Sequence, residues 1–511
     1  MTFKYLELRR IFPYLIALPV LLSAGCELPE STAKVIQNSG NEIELQKVVA
    51  YYRQGNDDRK LRALFFLIDN MQYKVHPQGQ GVNNYASLLD SLSNTPTERK
   101  EWLEHIFDSL KVHSNIHIPG SFHYNSDLAT IRSQDLIEHI DGAFKAWNYP
   151  WAKSLTFEQF CHYLLPYKIV DENPMVWNTQ VQDKFENLTD SLKGVTDPYA
   201  ICLAINAQLK QTFKIRSVPT YWDLDFNQLD KIRSGKCYQA TQYTTYIMRA
   251  LGLPVTMDFT PYWGNMNGGH EWNALIYNGK PIPFVGSESD PGKTKIDLAM
   301  QRKRGKVFRR TYEIQQNSLL FLTQGSEEIP QLFKNYHMED VTKEYIPVSD
   351  IDLDLTTVSS TFKYVFLAVF NRQEWTPIDW AENNNNKGLF KNIGRGIAYL
   401  PVYYSEGNLI PAGKPFLLEQ NGIVKFLNNT GKKEEVTIKR KGPRGPGIVE
   451  GNEYELLFWE DGWRNLGKKA AQADSITFVG VPQHSLLWIR SKDKSSNERI
   501  FQYENENQIW W

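Results

Sequence analysis

A thiol, an imidazole and a carboxylate could form an acyl-transfer site in this 511-residue chain: Cys237, His270 and Glu288. A cysteine becomes nucleophilic where its thiolate is stabilised, and the first turn of a helix does this through unpaired N–H groups. With Ser234 as N-cap, Cys237 falls in that turn beside Lys236, and its own N–H can serve a developing oxyanion. Such a thiol needs a base, and the base needs a group to orient it. Of the ten histidines, His270 has the best setting, because it follows Asn267-Gly268-Gly269 and opens a strand pattern.

The elements that must hold these groups are legible around them. Asp197 and Pro198 start a helix as N-cap and first helical residue, with Ile201, Ala204, Ile205 and Leu209 on its buried face. A second helix runs from the Cys237 region to Leu251, with Gly252 as its stop and Pro254 beyond. Strands are expected at 255–259, 270–277 and 280–284, the last two joined by the hairpin dipeptide Asn278-Gly279. Counting outward from that turn puts Val285 opposite Trp272 and Ser287 opposite His270, with Glu288 and Asp290 the nearest carboxylates. A bulge at Gly286 would bring Glu288 round to the imidazole.

The stretch from Gly235-Lys236-Cys237 to Ala250-Leu251-Gly252-Leu253-Pro254, followed by Gly269-His270-Glu271-Trp272, resembles the transglutaminase-like superfamily. The resemblance covers roughly 197–284 and implies a papain-like core with Cys237 as nucleophile and His270 as base. Where that superfamily usually carries Asp on the strand after His, this chain has Val285, which leaves Glu288 as the orienting group. The stretches 160–167 and 498–504 look similar to large multidomain transglutaminase-like lipoproteins of Bacteroidota. The implied reaction is acyl transfer at a peptide or protein amide, including a glycan-linked one. Water as acceptor makes a peptidase or amidase; an amine acceptor makes a transglutaminase-type acyl transferase. The alternative is a catalytically inactive surface protein that binds glycans or peptides, motivated by the aromatic-rich C-terminal region with Trp510 and Trp511.

Lys4, Arg9 and Arg10 precede an apolar run over 11–24 that ends in Leu22-Ser23-Ala24-Gly25-Cys26. This reads as a signal peptide rather than a span, which needs about 20 apolar residues. Cys after Ser-Ala-Gly resembles the lipobox of bacterial lipoproteins, so lipidation at Cys26 and a membrane-anchored place in the cell envelope, at the outer membrane, are expected. Net charge is −1, and the basic groups at 302–304 with 309–310 and at 439–444 read as solvated loops, so nucleic acid is not an expected partner. Cys161 and Cys202 lie on apolar helical faces, as a pair or as buried free thiols. No cofactor or metal is expected, and Asp223-x-Asp225-x-Asn227 lacks the glycine and glutamate of a calcium loop.

The fold class is multidomain α+β, with a helical N-terminal region, the papain-like core and C-terminal β-sandwich modules. The expected layout is a signal peptide at 1–25, a lipid-anchored polar tether at 26–41 and a helical domain at 42–185. The core follows at 186–325, then β modules at 345–433 and 434–511. Spacings of three and four mark helices at Leu45, Val48, Val49, Tyr52 and at Leu103, Ile106, Phe107, Leu110. Thr156 and Gln159 form a capping box.

Overall fold

The computed structural model describes residues 27–93, 122–218, 220–293, 302–357, 361–427, 429, 431–439, 448–491 and 498–511. The expected leader, Cys26, the 103–110 helix, and the 440–447 part of the basic connector lie outside them. No helix among the described residues is long and apolar enough to cross a membrane.

The N-terminal half is organised around one buried helix, Cys237–Ala250. Around it pack Ser133–Trp147, Asn178–Lys184, Pro198–Thr212 and Phe226–Ile232. The signals read for two of the chain's helices hold. Asp197 accepts from the Tyr199 N–H at 3.1 Å, and Thr156 and Gln159 bond reciprocally. A single apolar cluster runs from Val35 to Tyr312, so packing does not break between 185 and 186. Gln182 donates to the Ala250 carbonyl at 3.0 Å, and Trp151 donates to the Leu251 carbonyl at 2.7 Å.

Two expectations change here. Residues 27–40 are not simply a polar tether: Glu30–Gln37 is helical and buries Val35 and Ile36. The helical domain expected at 42–185 is interrupted by an antiparallel ladder of Val75–Gln78 with His123–Ser126. His76 of that ladder and Lys168 meet the buried Asp127 carboxylate at 2.7 Å each, so the buried charge is paired.

An antiparallel sheet lies against the central helix, in the order Lys280–Phe284, His270–Tyr277, Val255–Thr260, Phe308–Arg310, Met338–Asp340. The alternation of strand side chains divides its faces. Val255, Met257, Leu275 and Phe284 join the helical core, while Trp272 packs on the other face with Val285, Val307 and Val341.

Two β units follow. In the first, Val348–Asp354 and Lys387–Gly394 cover a six-stranded sheet centred on Tyr364–Asn371 and Ile397–Ser405. In the second, Lys433–Lys439 and Ser475–Pro482 cover a five-stranded sheet centred on Glu453–Trp459 and Leu487–Ser491. Strand Tyr364–Asn371 is buried along its whole length, in keeping with its apolar sequence from Val365 to Phe370. Val365, Leu367 and Val369 face their own unit, and Phe366, Ala368 and Phe370 face the second one. That second interface holds Trp375, Trp459, Trp488 and Trp511. The aromatic richness that suggested a glycan-facing surface is therefore largely packing between the two units.

Candidate active site

The Cys237–Ala250 helix starts at the thiol itself: Lys236, not Ser234, occupies the N-cap position. Ser234 and Gly235 instead pair in parallel with Lys214 and Ile215. Gln239 accepts the Lys236 N–H at 3.0 Å, which closes the helix start. Gly235 is needed here because a Cβ on it would lie 2.3 Å from the Gln239 Cβ. Cys237 thus stands at the first helical position, closer to the positive end than a Ser234 cap would place it.

Burial pushes the half-buried Cys237 thiol above its ordinary value, and the Glu271 carboxylate acts in the same direction. Hydrogen bonding from the backbone N–H groups of Glu271, Tyr238 and Cys237 itself opposes both. The first of these groups belongs to the residue directly after His270.

Asn273 fastens the two elements together. Its Nδ2 donates to the Thr241 carbonyl and the Thr245 hydroxyl at 3.0 Å each, and its Oδ1 accepts from the Gly286 N–H at 3.2 Å. One buried amide therefore ties the thiol helix, the His270 strand and the turn that carries Glu288. The register agrees with the hairpin reading, since Tyr277 pairs with Lys280 and Asn273 with Phe284. Asn278 and Gly279 both have positive φ, at 51° and 73°, as a two-residue turn of this hand requires.

The His270 ring stacks with Trp263 and Trp272, each centroid 6.1 Å away at 23° and 29°. The Arg302 guanidinium lies 5.7 Å over Trp263, and that of Arg304 lies 5.7 Å over Trp272. Burial lowers the imidazole to about 4, the charge of Arg302 and then Arg304 adds to this, and Glu288 pulls it back up. Glu288 itself is exposed, on a turn where its N–H donates to the Val285 carbonyl at 2.9 Å and Ser287 has a φ of 68°. A tight turn, rather than a bulge alone, brings it into electrostatic reach of His270. Val285 is core and cannot orient an imidazole. Asp290 is occupied elsewhere, by Lys210 at 2.5 Å and Asn206 at 3.0 Å.

Sequence reasoning missed the neighbours of the thiol. Arg310 donates to Glu271 at 3.2 Å and lies 5.3 Å over the Tyr238 ring, and Tyr238 donates to Asp223 at 2.6 Å. Arg309 forms a two-pronged pair with buried Asp258 at 3.0 and 2.8 Å. The 309–310 group is therefore structural rather than solvated, and only its partners in space reveal that. Trp222 is buried and packs with Tyr85 and Phe122. Asp225 caps the Phe226–Ile232 helix. Cys161 and Cys202 are free and buried, with burial raising both thiols. No group of three or more His, Cys, Asp or Glu among the described residues is arranged to hold a metal.

No family model matches the chain, and no curated protein matches it. Among solved structures, a Cytophaga hutchinsonii protein named as a "Putative Cysteine Protease" is similar over 22% of this chain and 39% of its own, at 22% identity and TM-score 0.18. The chain thus spans well under half the length of that protein. Red sea bream transglutaminase is similar over 66% of this chain and 72% of its own, at 11% identity and TM-score 0.22. Likeness at these scores fixes neither fold nor activity, so the chemistry rests on the geometry above.

Proposed function

We propose that the chain is a cysteine amidase or peptidase with a transglutaminase-like site, in which Cys237 attacks an amide carbonyl and His270 manages the proton. The observation that carries this reading is the buried Asn273 amide, which ties the helix that opens with Cys237 to the strand that opens with His270. With the thiol raised and the imidazole depressed, the resting proton sits on sulfur. As the S–C bond forms, that proton passes to the His270 ring, and first-turn N–H groups face the developing oxyanion. His270 then returns the proton to the departing amine as the C–N bond breaks. Water attacks the thioester, giving its proton to His270, and sulfur leaves and is reprotonated. Glu288 steadies the imidazolium formed in passing. An amine in place of water would give the transferase version of the same cycle. Cys26 after its apolar leader supports an envelope-anchored place for this activity.

The test is iodoacetamide labelling of the protein without Cys26, read at each cysteine by mass spectrometry. His270→Ala should slow Cys237 labelling about a hundredfold at neutral pH, the low end of what general bases supply. Equal rates with and without His270 would sink the catalytic reading. They would favour the inactive binding protein, the reading that Val285 at the usual carboxylate position supports.

A further inference from the structure

The nine residues 261–269 link the strands Val255–Thr260 and His270–Tyr277. A connection of this kind normally runs over the surface and satisfies its backbone with water. This one is held by both C-terminal units. Asn371, buried at the end of the Tyr364–Asn371 strand, donates from Nδ2 to the carbonyls of Trp263 (3.3 Å), Met266 (3.1 Å) and Gly268 (3.2 Å). Its Oδ1 accepts the Gly268 N–H at 2.9 Å. From the second unit, Arg499 donates to the Gly264 carbonyl at 3.0 Å and to Asn267 Oδ1 at 3.1 Å. The Arg372 N–H reaches that same Asn267 oxygen at 2.9 Å, so the two units converge on one side chain. Gly264 abuts the first unit so closely that a Cβ there would lie 2.5 Å from Ile397.

Arg499 is the telling residue. It is buried, and its third bond goes to the Trp511 backbone oxygen at 2.8 Å. Taking a cation out of water is expensive, and apolar packing alone would join two units at lower cost. What a guanidinium adds is a rigid fork of donors with directional reach. Here that reach is spent on a loop whose Trp263 stacks on the His270 ring.

We propose that Asn371 and Arg499 are positioning residues for His270, so that the reactivity of Cys237 depends on the C-terminal units. The proposal rests on the acyl-transfer reading of the site. The loop 261–269 is their point of action: held, it keeps Trp263 against the imidazole and the His270–Glu271 peptide against the sulfur. Released, it lets both drift.

The experiment uses the full chain without Cys26. Asn371→Ala, Arg499→Met and Arg499→Lys are compared with His270→Ala and with Ile489→Val, which trims the core of the second unit away from the loop. Three readouts are taken: Cys237 labelling by iodoacetamide across pH, the His270 imidazole titration by NMR, and the melting temperature. Asn371→Ala and Arg499→Met should slow Cys237 labelling about tenfold, as small misplacements of reacting groups do. They should also move the His270 titration up toward an ordinary histidine as the ring loses cover. Arg499→Lys should recover part of both, and Ile489→Val should lower the melting temperature while leaving labelling and titration at parent values. If Asn371→Ala does not fold, Arg499→Lys against the parent decides by the same readouts. Parental labelling and titration in Asn371→Ala and Arg499→Met, with His270→Ala slow, would overturn the proposal alone. If His270→Ala labels like the parent, the acyl-transfer reading falls, and an unmoved His270 titration in the two loop variants would then remove the positioning role as well.

Discussion

A Cβ built on Gly286 would lie 1.9 Å from the Thr244 hydroxyl oxygen, so the turn after the Lys280–Phe284 strand presses its bare backbone onto the thiol helix. No side chain fits between them. The same backbone gives its N–H to Asn273 and carries Glu288 two residues on. Gly286→Ala must push the turn outward, at a cost of about 1–3 kcal/mol from overpacking. Urea denaturation should show the loss, with slower Cys237 labelling as Glu288 withdraws from His270. An unchanged midpoint would mean that the turn yields freely and does not hold Glu288 in place.

The Glu271 carboxylate raises the neighbouring thiol, and Arg310 is its counter-ion. Glu271→Gln removes the negative charge and leaves the guanidinium, and both changes favour the thiolate. Cys237 should therefore label faster at pH 7, by up to about tenfold for a shift of one pKa unit. The protein should also lose stability, since Arg310 is left without its partner. Slower labelling in a folded Glu271→Gln would show that Glu271 assists the thiol rather than opposing it.

The elements written in local sequence were legible. Asn278-Gly279 gave the register, Thr156 with Gln159 and Asp197 with Pro198 gave helix starts, and Cys237 and His270 stood out by setting. What escaped was set by residues distant in the chain. Ser234 is a good cap by type, but it lies in an extended segment paired in register with Lys214, so the N-cap falls at Lys236. Arg310 looked like part of a solvated run because nothing beside it in sequence names Glu271 as its partner. Asn371 and Arg499 lie more than 100 residues beyond the loop they bind, and an isolated Asn at a strand end carries no signal of that. The tryptophans illustrate a different limit, because composition reports aromatic area without saying which face of a sheet will cover it.

Trp488 lies 5.2 Å from Phe370 of the first unit and 5.4 Å from Trp463 of its own. Trp488→Ala should cost about 3–5 kcal/mol, as large-to-small changes in cores do. Because the residue sits between the units, denaturation should broaden or split as they come apart. A variant that kept its midpoint but lost retention on a glycan array would return these tryptophans to a binding role.

His139 is buried within the helical core, and its Nε2 donates to the Leu165 carbonyl at 3.0 Å, so the neutral ring fits its site. Burial lowers it to about 4. In the unfolded chain it returns to about 6.5, so between these values the unfolded state binds the extra proton. The stability it contributes is complete above pH 6.5 and falls as pH drops toward 4, by about 2 kcal/mol at pH 5. His270 and His337 are also lowered, chiefly by burial, and act with the same sign. Asp379, raised by burial to about 6, acts against them, because the folded state takes its proton first. The whole curve is therefore a composite, and a single substitution separates the contribution of His139. His139→Gln can keep a donor toward Leu165 but does not titrate. It should be less stable than the parent at pH 7, with the gap closing by about 2 kcal/mol by pH 5 in urea titrations. A gap constant with pH would mean that His139 keeps an ordinary affinity for protons in the folded state.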